Sequence, residues 1–150
     1  MTAAPLDPAD AQRVRASFAR QTAMATLGIE LAGVEAGAVE LRMPYAAALT
    51  QQHGFIHAGV ISTALDTACG YAAFSLMPAD AAVLTVEFKV NLLAPARGDR
   101  FVFRAKVLKP GRTLTVCEAR AFARDAGRER LIASMTGTLM AVHGRDGITQ

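Results

Sequence analysis

Between Arg42 and Asp80 the sequence carries one formal charge, Asp66, in the middle of the apolar stretch VISTALDTACGYAAFSL. A carboxylate there without partners is costly, so the group must be paired, be protonated, or face a cavity. One reading is a structural aspartate bonded to a backbone group or a neighbouring hydroxyl. The other is a carboxylate kept for chemistry. Directly upstream stands Gln51-Gln52-His53-Gly54-Phe55-Ile56-His57-Ala58-Gly59. A helix beginning at the end of this run has unpaired N–H groups at the positive end of its dipole, a ready site for a developing oxyanion. Ala58 and Asp66 are eight residues apart, about 12 Å along a helix axis. A base acting through one water and an oxyanion donor on the same carbonyl should lie within roughly half that span. If both groups act on one carbonyl, Asp66 of one subunit must meet the helix start of another, at a two-fold interface.

Other chemistry is weaker. Ser62, Ser75 and Ser134 lack a nucleophile elbow of the G-x-S-x-G kind. His53 and His57 share the four-residue spacing of a zinc helix, but Gly54 stands where the glutamate would be, and no metal or cofactor is expected. Lys109, Arg112 and Arg97 fall at strand ends and turns. Such charges are ordinarily solvated; the alternative is contact with phosphates.

The elements that must position these residues follow from pattern. Asp7 or Asp10 caps a first helix running to about Arg20, with Pro8 in its opening turn. Alternation predicts short strands near Ile29–Leu31 and Ala38–Met43, with Gly33 and Gly37 bracketing the turn. From Gly59 to about Leu76 the chain is apolar almost all round, which predicts a buried helix. The rest reads as a meander of long strands: AAVLTVEFKVNLLAP, RFVFRAKVLK, TLTVCEARAFAR and LIASMTGTLMAV. Lys109-Pro110-Gly111-Arg112 carries a type II turn signal, and Asp125-Ala126-Gly127-Arg128 marks another turn. The tail from 143 to 150 is expected to fray. Together these make one α+β domain over 1–150, with residues 1–24 as helix and lead-in.

Composition narrows the classes. Of 150 residues 52% are hydrophobic and 19% charged, an apolar excess that contact with a second copy would absorb. The net charge of +3 suits an anionic small molecule, and no dense basic run or aromatic platform suggests nucleic acid. No signal peptide or membrane span is visible, and Cys69 and Cys117 read as two buried thiols, so a cytoplasmic location is expected.

The run HGFIHAGVISTALDTACGYAA resembles the signature of hotdog-fold thioesterases of the phenylacetate-pathway (PaaI-like) type: Asn or Gln, His-Gly-Gly six residues later, and Asp nine after the His. TVEFKVNLLAPARGDRF and VLKPGRTLTVCEARAF resemble the same family, so the likeness covers nearly all of residues 25–142. It implies a hotdog fold, in which a curved antiparallel sheet wraps one long helix, and hydrolysis of an acyl-CoA in a homodimer or tetramer. Carried over by position, Asp66 is the general base or nucleophile and the N–H of Ala58 or Gly59 polarises the carbonyl. His57 shapes the loop, Gln51 holds the water or the sulfur side, and Thr85 orients water. Phe55, Leu65, Cys69, Val83 and Phe88 would line an acyl tunnel between helix and sheet, and Arg97, Lys109 and Arg112 would meet the CoA phosphates. The chain departs from the pattern at Gln51, for the commoner Asn, and at Ala58, for the first Gly. A thiolate leaves readily, so one carboxylate and an oxyanion donor suffice. Two rival functions remain: a hotdog hydratase or dehydratase, and a non-catalytic acyl-CoA-binding module.

Overall fold

In the computed structural model, which describes residues 4–150, Asp7 accepts the Ala9 N–H at 2.8 Å and opens α1 (Pro8–Arg20). Pro8 sits in the first turn, where a backbone N–H would be unpaired anyway. The first three residues of the expected lead-in lie outside the described residues. A short α2 (Thr22–Leu27), too brief to show a period in the sequence, follows and ends at Gly28 with φ 68°.

The two-stranded start differs from expectation at one glycine. β1 (Glu30–Glu35) runs on through Gly33, where the ladder shifts register, and Ala36-Gly37 alone turn the chain into β2 (Ala38–Pro44). Gly37 takes φ 73°, which the turn requires. Then come a 3₁₀ turn at Ala47–Leu49, α3 (Ala58–Phe74), β3 (Ala82–Leu92), β4 (Arg100–Lys109), β5 (Leu114–Asp125) and β6 (Arg128–Val142). The sheet is antiparallel in the order β1-β2-β4-β5-β6-β3. Only β4, β5 and β6 form the expected meander. The α3 connection carries the chain across the face of the sheet, so β3 pairs with β6 at the far edge.

Small side chains set how closely α3 approaches the sheet. Ala105, Ala119, Ala121 and Ala123 floor the sheet, and Ala64, Ala68 and Ala72 face inward from α3; all are buried. Phe74, Phe101 and Phe103 fill the ends of this layer without exposure, each contributing roughly 1.5–3 kcal/mol of burial. Arg13 reaches from α1 to the far end of α3, donating to the carbonyls of Phe74 (3.4 Å) and Met77 (2.9 Å). It places a cation on the negative end of the helix dipole.

Two turns show different uses of glycine. Ala126 (φ 46°) and Gly127 (φ 79°) join β5 to β6 in a two-residue hairpin with both residues left-handed. The expected type II turn at Lys109–Arg112 is absent, because Gly111 is not among the residues with positive φ. Gly111 is needed for space instead: a Cβ there would fall 2.1 Å from the Leu114 carbonyl oxygen. The tail, expected to fray, lacks helix and strand but docks through Gln150. Its side chain accepts the Val83 N–H (3.0 Å) and donates to Ser17 Oγ (2.8 Å), itself 3.1 Å from the Tyr71 hydroxyl. Cys69 and Cys117 are free, buried thiols. No helix among the described residues is long and apolar enough to cross a membrane.

Candidate active site

The loop before α3 is held at both ends by backbone bonds. Ile56 N–H donates to Ala96 O (3.0 Å) and His57 N–H to Leu49 O (2.9 Å). Within the loop, Gln51 and Phe55 pair across a turn whose Gly54 takes φ 80°. The Gln51 side-chain oxygen accepts the His53 N–H. His57 then caps α3: its Nδ1 accepts the Gly59 N–H at 2.9 Å. That bond requires an unprotonated Nδ1, so the neutral ring carries its proton on Nε2. The His57 carbonyl takes the N–H groups of Val60 (3.0 Å) and Ile61 (3.2 Å). Of the first N–H groups of α3, this leaves Ala58 as the one without a partner among the described residues. Gly59 is fixed by the same geometry, since a Cβ there would sit 3.0 Å from His57 Nδ1.

Asp66 lies two turns further along, on the one lane of α3 not covered by the sheet, with Gly59, Thr63 and Gly70. Its Oδ1 accepts the Thr85 hydroxyl of β3 at 2.8 Å. Burial pushes its pKa above the ordinary carboxylate value, and the Thr85 bond opposes that rise. In one chain Asp66 remains about 12 Å along the helix axis from Ala58.

Beside Ala58 opens a cavity of about 450 Å³ lined by Gln51, Phe55, Ile61, Leu92, Leu93 and Ile132, among others. No charged residue among the described residues lines it, and its size falls within the roughly 300–1,000 Å³ of small-molecule sites. Of the expected acyl-lining residues, only Phe55 belongs to it. Leu65 and Cys69 are buried in the core, Val83 is half-buried beside Gln150, and Phe88 stands on the outer edge of β3. The space is therefore at the start of α3, not along its middle, where alanines hold helix and sheet together. Ile61, Leu92, Leu93 and Ile132 carry no functional signature in the sequence beyond the apolar Leu92-Leu93 pair at the end of β3.

The expected cations do not converge in one chain. Arg97 follows Ala96 at the cavity, and Arg130 donates to its carbonyl oxygen (3.4 Å). Lys109 and Arg112 flank the β4–β5 turn, and Arg112 lines a separate pocket with Ala73, Leu76 and Met77 at the opposite end of α3. β3 is the open edge of the sheet, and Val86, Phe88 and Leu92 on it are 52%, 42% and 56% exposed.

Known proteins place this arrangement. The family model described as Thioesterase superfamily matches residues 53–129, just over half of the chain. A Saccharolobus solfataricus protein named "Putative esterase" is 31% identical over 83% of this chain and 80% of its own length. A protein of Halobacterium salinarum with the same designation is 37% identical over 61% of this chain, and the match spans 64% of that relative. Among solved structures, a thioesterase family protein from Silicibacter pomeroyi is 67% identical, covering 90% of this chain and 99% of that one with a TM-score of 0.89. The E. coli PaaI protein from the phenylacetic acid degradation operon shares the fold at 21% identity, over 90% of this chain and 94% of that one, with a TM-score of 0.81. A helix capped by His57, carrying Asp66 and laid across a six-stranded sheet, is thus the hotdog arrangement, and the chain belongs to the thioesterase superfamily.

Proposed function

We propose that the protein hydrolyses acyl-CoA thioesters at a site shared by two subunits, with Asp66 as general base. The observation that carries this reading is a desolvated carboxylate and an unpaired helix-start N–H too far apart to meet within one chain, beside an open edge strand. In the shared site the thioester carbonyl lies against the Ala58 N–H and its acyl group fills the neighbouring cavity. Asp66 of the partner subunit takes a proton from water, and the hydroxide oxygen bonds to the carbonyl carbon. The tetrahedral oxyanion is held by Ala58 N–H, then collapses, breaking the C–S bond. The CoA thiolate leaves and is protonated from Asp66, which returns to its starting state. Thr85 holds one carboxylate oxygen, leaving the other for the water. Gln51 sits at the cavity to hold water or the sulfur side, and His57 keeps the Gly59 N–H occupied so that Ala58 is the donor.

A two-fold that runs β3 against β3 turns the partner's Lys109 and Arg112 toward the end that carries Arg97. The three cations, split in one chain, then flank one entrance and suit the CoA phosphates. Two buried thiols suit a reducing cytoplasm.

Thiol release measured over short, medium, long and aromatic acyl-CoAs tests the reaction, and mixing tests the shared site. Asp66→Ala and Ala58→Pro subunits, each inactive alone, should regain about a quarter of wild-type activity on exchange, because half the dimers then hold one intact site. No recovery would put both groups in one subunit's site. No turnover on any thioester, with tight acyl-CoA binding, would make the protein a binding module. Hydration of enoyl-CoA would make it a hydratase.

A further inference from the structure

We propose that Arg130 is a positioning residue of the site: its guanidinium clamps the cavity wall at residues 95–97, and through that wall fixes the segment that presents the Ala58 N–H. The inference rests on the shared-site reading above for the role of Ala58, and takes the clamp from the geometry of β6 and the loop after β3.

A bulge aims the side chain. Along β5 and β6, Ala121 opposes Ala133 but Phe122 opposes Leu131, so Ile132 is an extra residue with nothing opposite it. Without it, strand alternation would put Arg130 on the face of Ser134 and Thr136, away from α3. With it, Arg130 opposes buried Ala123 and leaves the sheet on the α3 face. The same bulge sets Ile132 at the cavity, and the Ile132 carbonyl takes the N–H groups of Leu93 (2.8 Å) and Ala94 (3.2 Å). The wall is thus anchored at its start by the bulge itself, and Arg130 meets it two residues further on.

There the Nη2 of Arg130, with two hydrogens to give, donates to two carbonyl oxygens, Pro95 at 3.1 Å and Arg97 at 3.4 Å. Drawing the first and third of three consecutive carbonyls to one cation turns the middle one away. That middle carbonyl belongs to buried Ala96, and it accepts the Ile56 N–H at 3.0 Å. His57 follows, with its N–H on Leu49 and its ring on Gly59, and then Ala58. One guanidinium therefore holds a wall of the cavity and sets up a bond two residues from the N–H left for the oxyanion. Arg130 is exposed, as are Pro95 and Arg97, so water can take its place at both carbonyls and the chain folds without it. What it adds is the direction of the Ala96 carbonyl.

Arg130→Met keeps the stem and removes the donors, while Arg130→Lys keeps a cation that can serve two acceptors. Hydrogen exchange reads the clamp without any turnover. In Arg130→Met the Ile56 amide should exchange about tenfold faster, with the amides of β4 and β5 unchanged, and Arg130→Lys should restore most of the protection. An Ile56 amide that exchanges as in wild type overturns the clamp. Faster exchange throughout the sheet also overturns it, since Arg130 would then be a general stabiliser. Kinetics read the consequence: kcat should fall about 10–100-fold in Arg130→Met, equally with acyl-CoA and with acyl-pantetheine, which lacks the nucleotide phosphates. A rise in KM alone, present with acyl-CoA and absent with acyl-pantetheine, would make Arg130 a phosphate contact and overturn the positioning role. If the wild type turns over no thioester while Ile56 still responds to Arg130→Met, the proposed reaction falls and the clamp stands.

Discussion

Thr85 donates its hydroxyl to Asp66 across 2.8 Å, a bond that joins the edge strand β3 to the middle of α3. It favours the ionised carboxylate, while burial favours the protonated one and is the larger effect. Removing it in Thr85→Val raises the Asp66 pKa further. The acid limb of the kcat/KM profile should then move to higher pH, with activity lost first on the acid side and recovering on the alkaline side. A profile lowered evenly at all pH values would mean that Thr85 only shapes the site.

Asp66→Asn should cost about two to four orders of magnitude in kcat and still stabilise the fold at neutral pH. The folded-state pKa of Asp66 lies above its unfolded value, so between those two values the folded state binds more protons, and stability falls as pH rises. Asparagine removes that penalty. Thermal unfolding should therefore show the variant above wild type at neutral pH, with the difference closing as pH falls below the Asp66 pKa. A variant less stable than wild type at pH 7 would mean the carboxylate is better solvated than its burial suggests.

Ala58→Pro isolates the oxyanion donor. Proline suits the first position of a helix and removes only its own N–H, here the one without a partner. His57 already has φ −59° and ψ 139°, the conformation a residue before proline adopts. Circular dichroism and melting should stay near wild type while kcat falls about 10²–10³-fold. Full activity in Ala58→Pro would move the donor elsewhere.

The uncharged lining of the cavity predicts which acyl groups enter. Pentanoyl-CoA and glutaryl-CoA have chains of equal length, but the second would bury a carboxylate without a partner. The kcat/KM ratio should favour pentanoyl by about 100-fold or more. Ala94 also lines the cavity, and filling the space in Ala94→Phe should reduce longer and aromatic substrates selectively and leave acetyl-CoA nearly unchanged. Equal loss over the whole panel would separate this cavity from the acyl group.

Much of this was legible in the residues, for specific physical reasons. Period-two alternation over Arg100–Lys109 marked β4 to its ends, because one face is core and the other, buried Val102 aside, faces outward. The lone charge in an apolar helix singles out Asp66 without reference to its Thr85 bond, and the His57-Ala58-Gly59 run marks the helix start. What stayed hidden depended on contacts between distant segments. The placement of β3 beside β6 follows from where α3 crosses the sheet, which no local pattern records. The cavity could not be read because Ile61, Leu92 and Ile132 come from three separate elements. Glycine misled twice, since its spacing does not distinguish a need for positive φ from a need for room, as Gly111 illustrates.

The two edges of the sheet are not alike. β1 is short, interrupted at Gly33, begins and ends with glutamate, and has α1 packed against it. β3 is long, with apolar side chains standing open along it. A sheet with two inviting edges would template copy after copy into a fibre; one with none would stay alone. If two copies join through β3, as the proposed shared site requires, growth ends after one addition, because joining two such edges leaves only blunt ones facing outward. The stopping rule for assembly is thus written into the difference between β1 and β3.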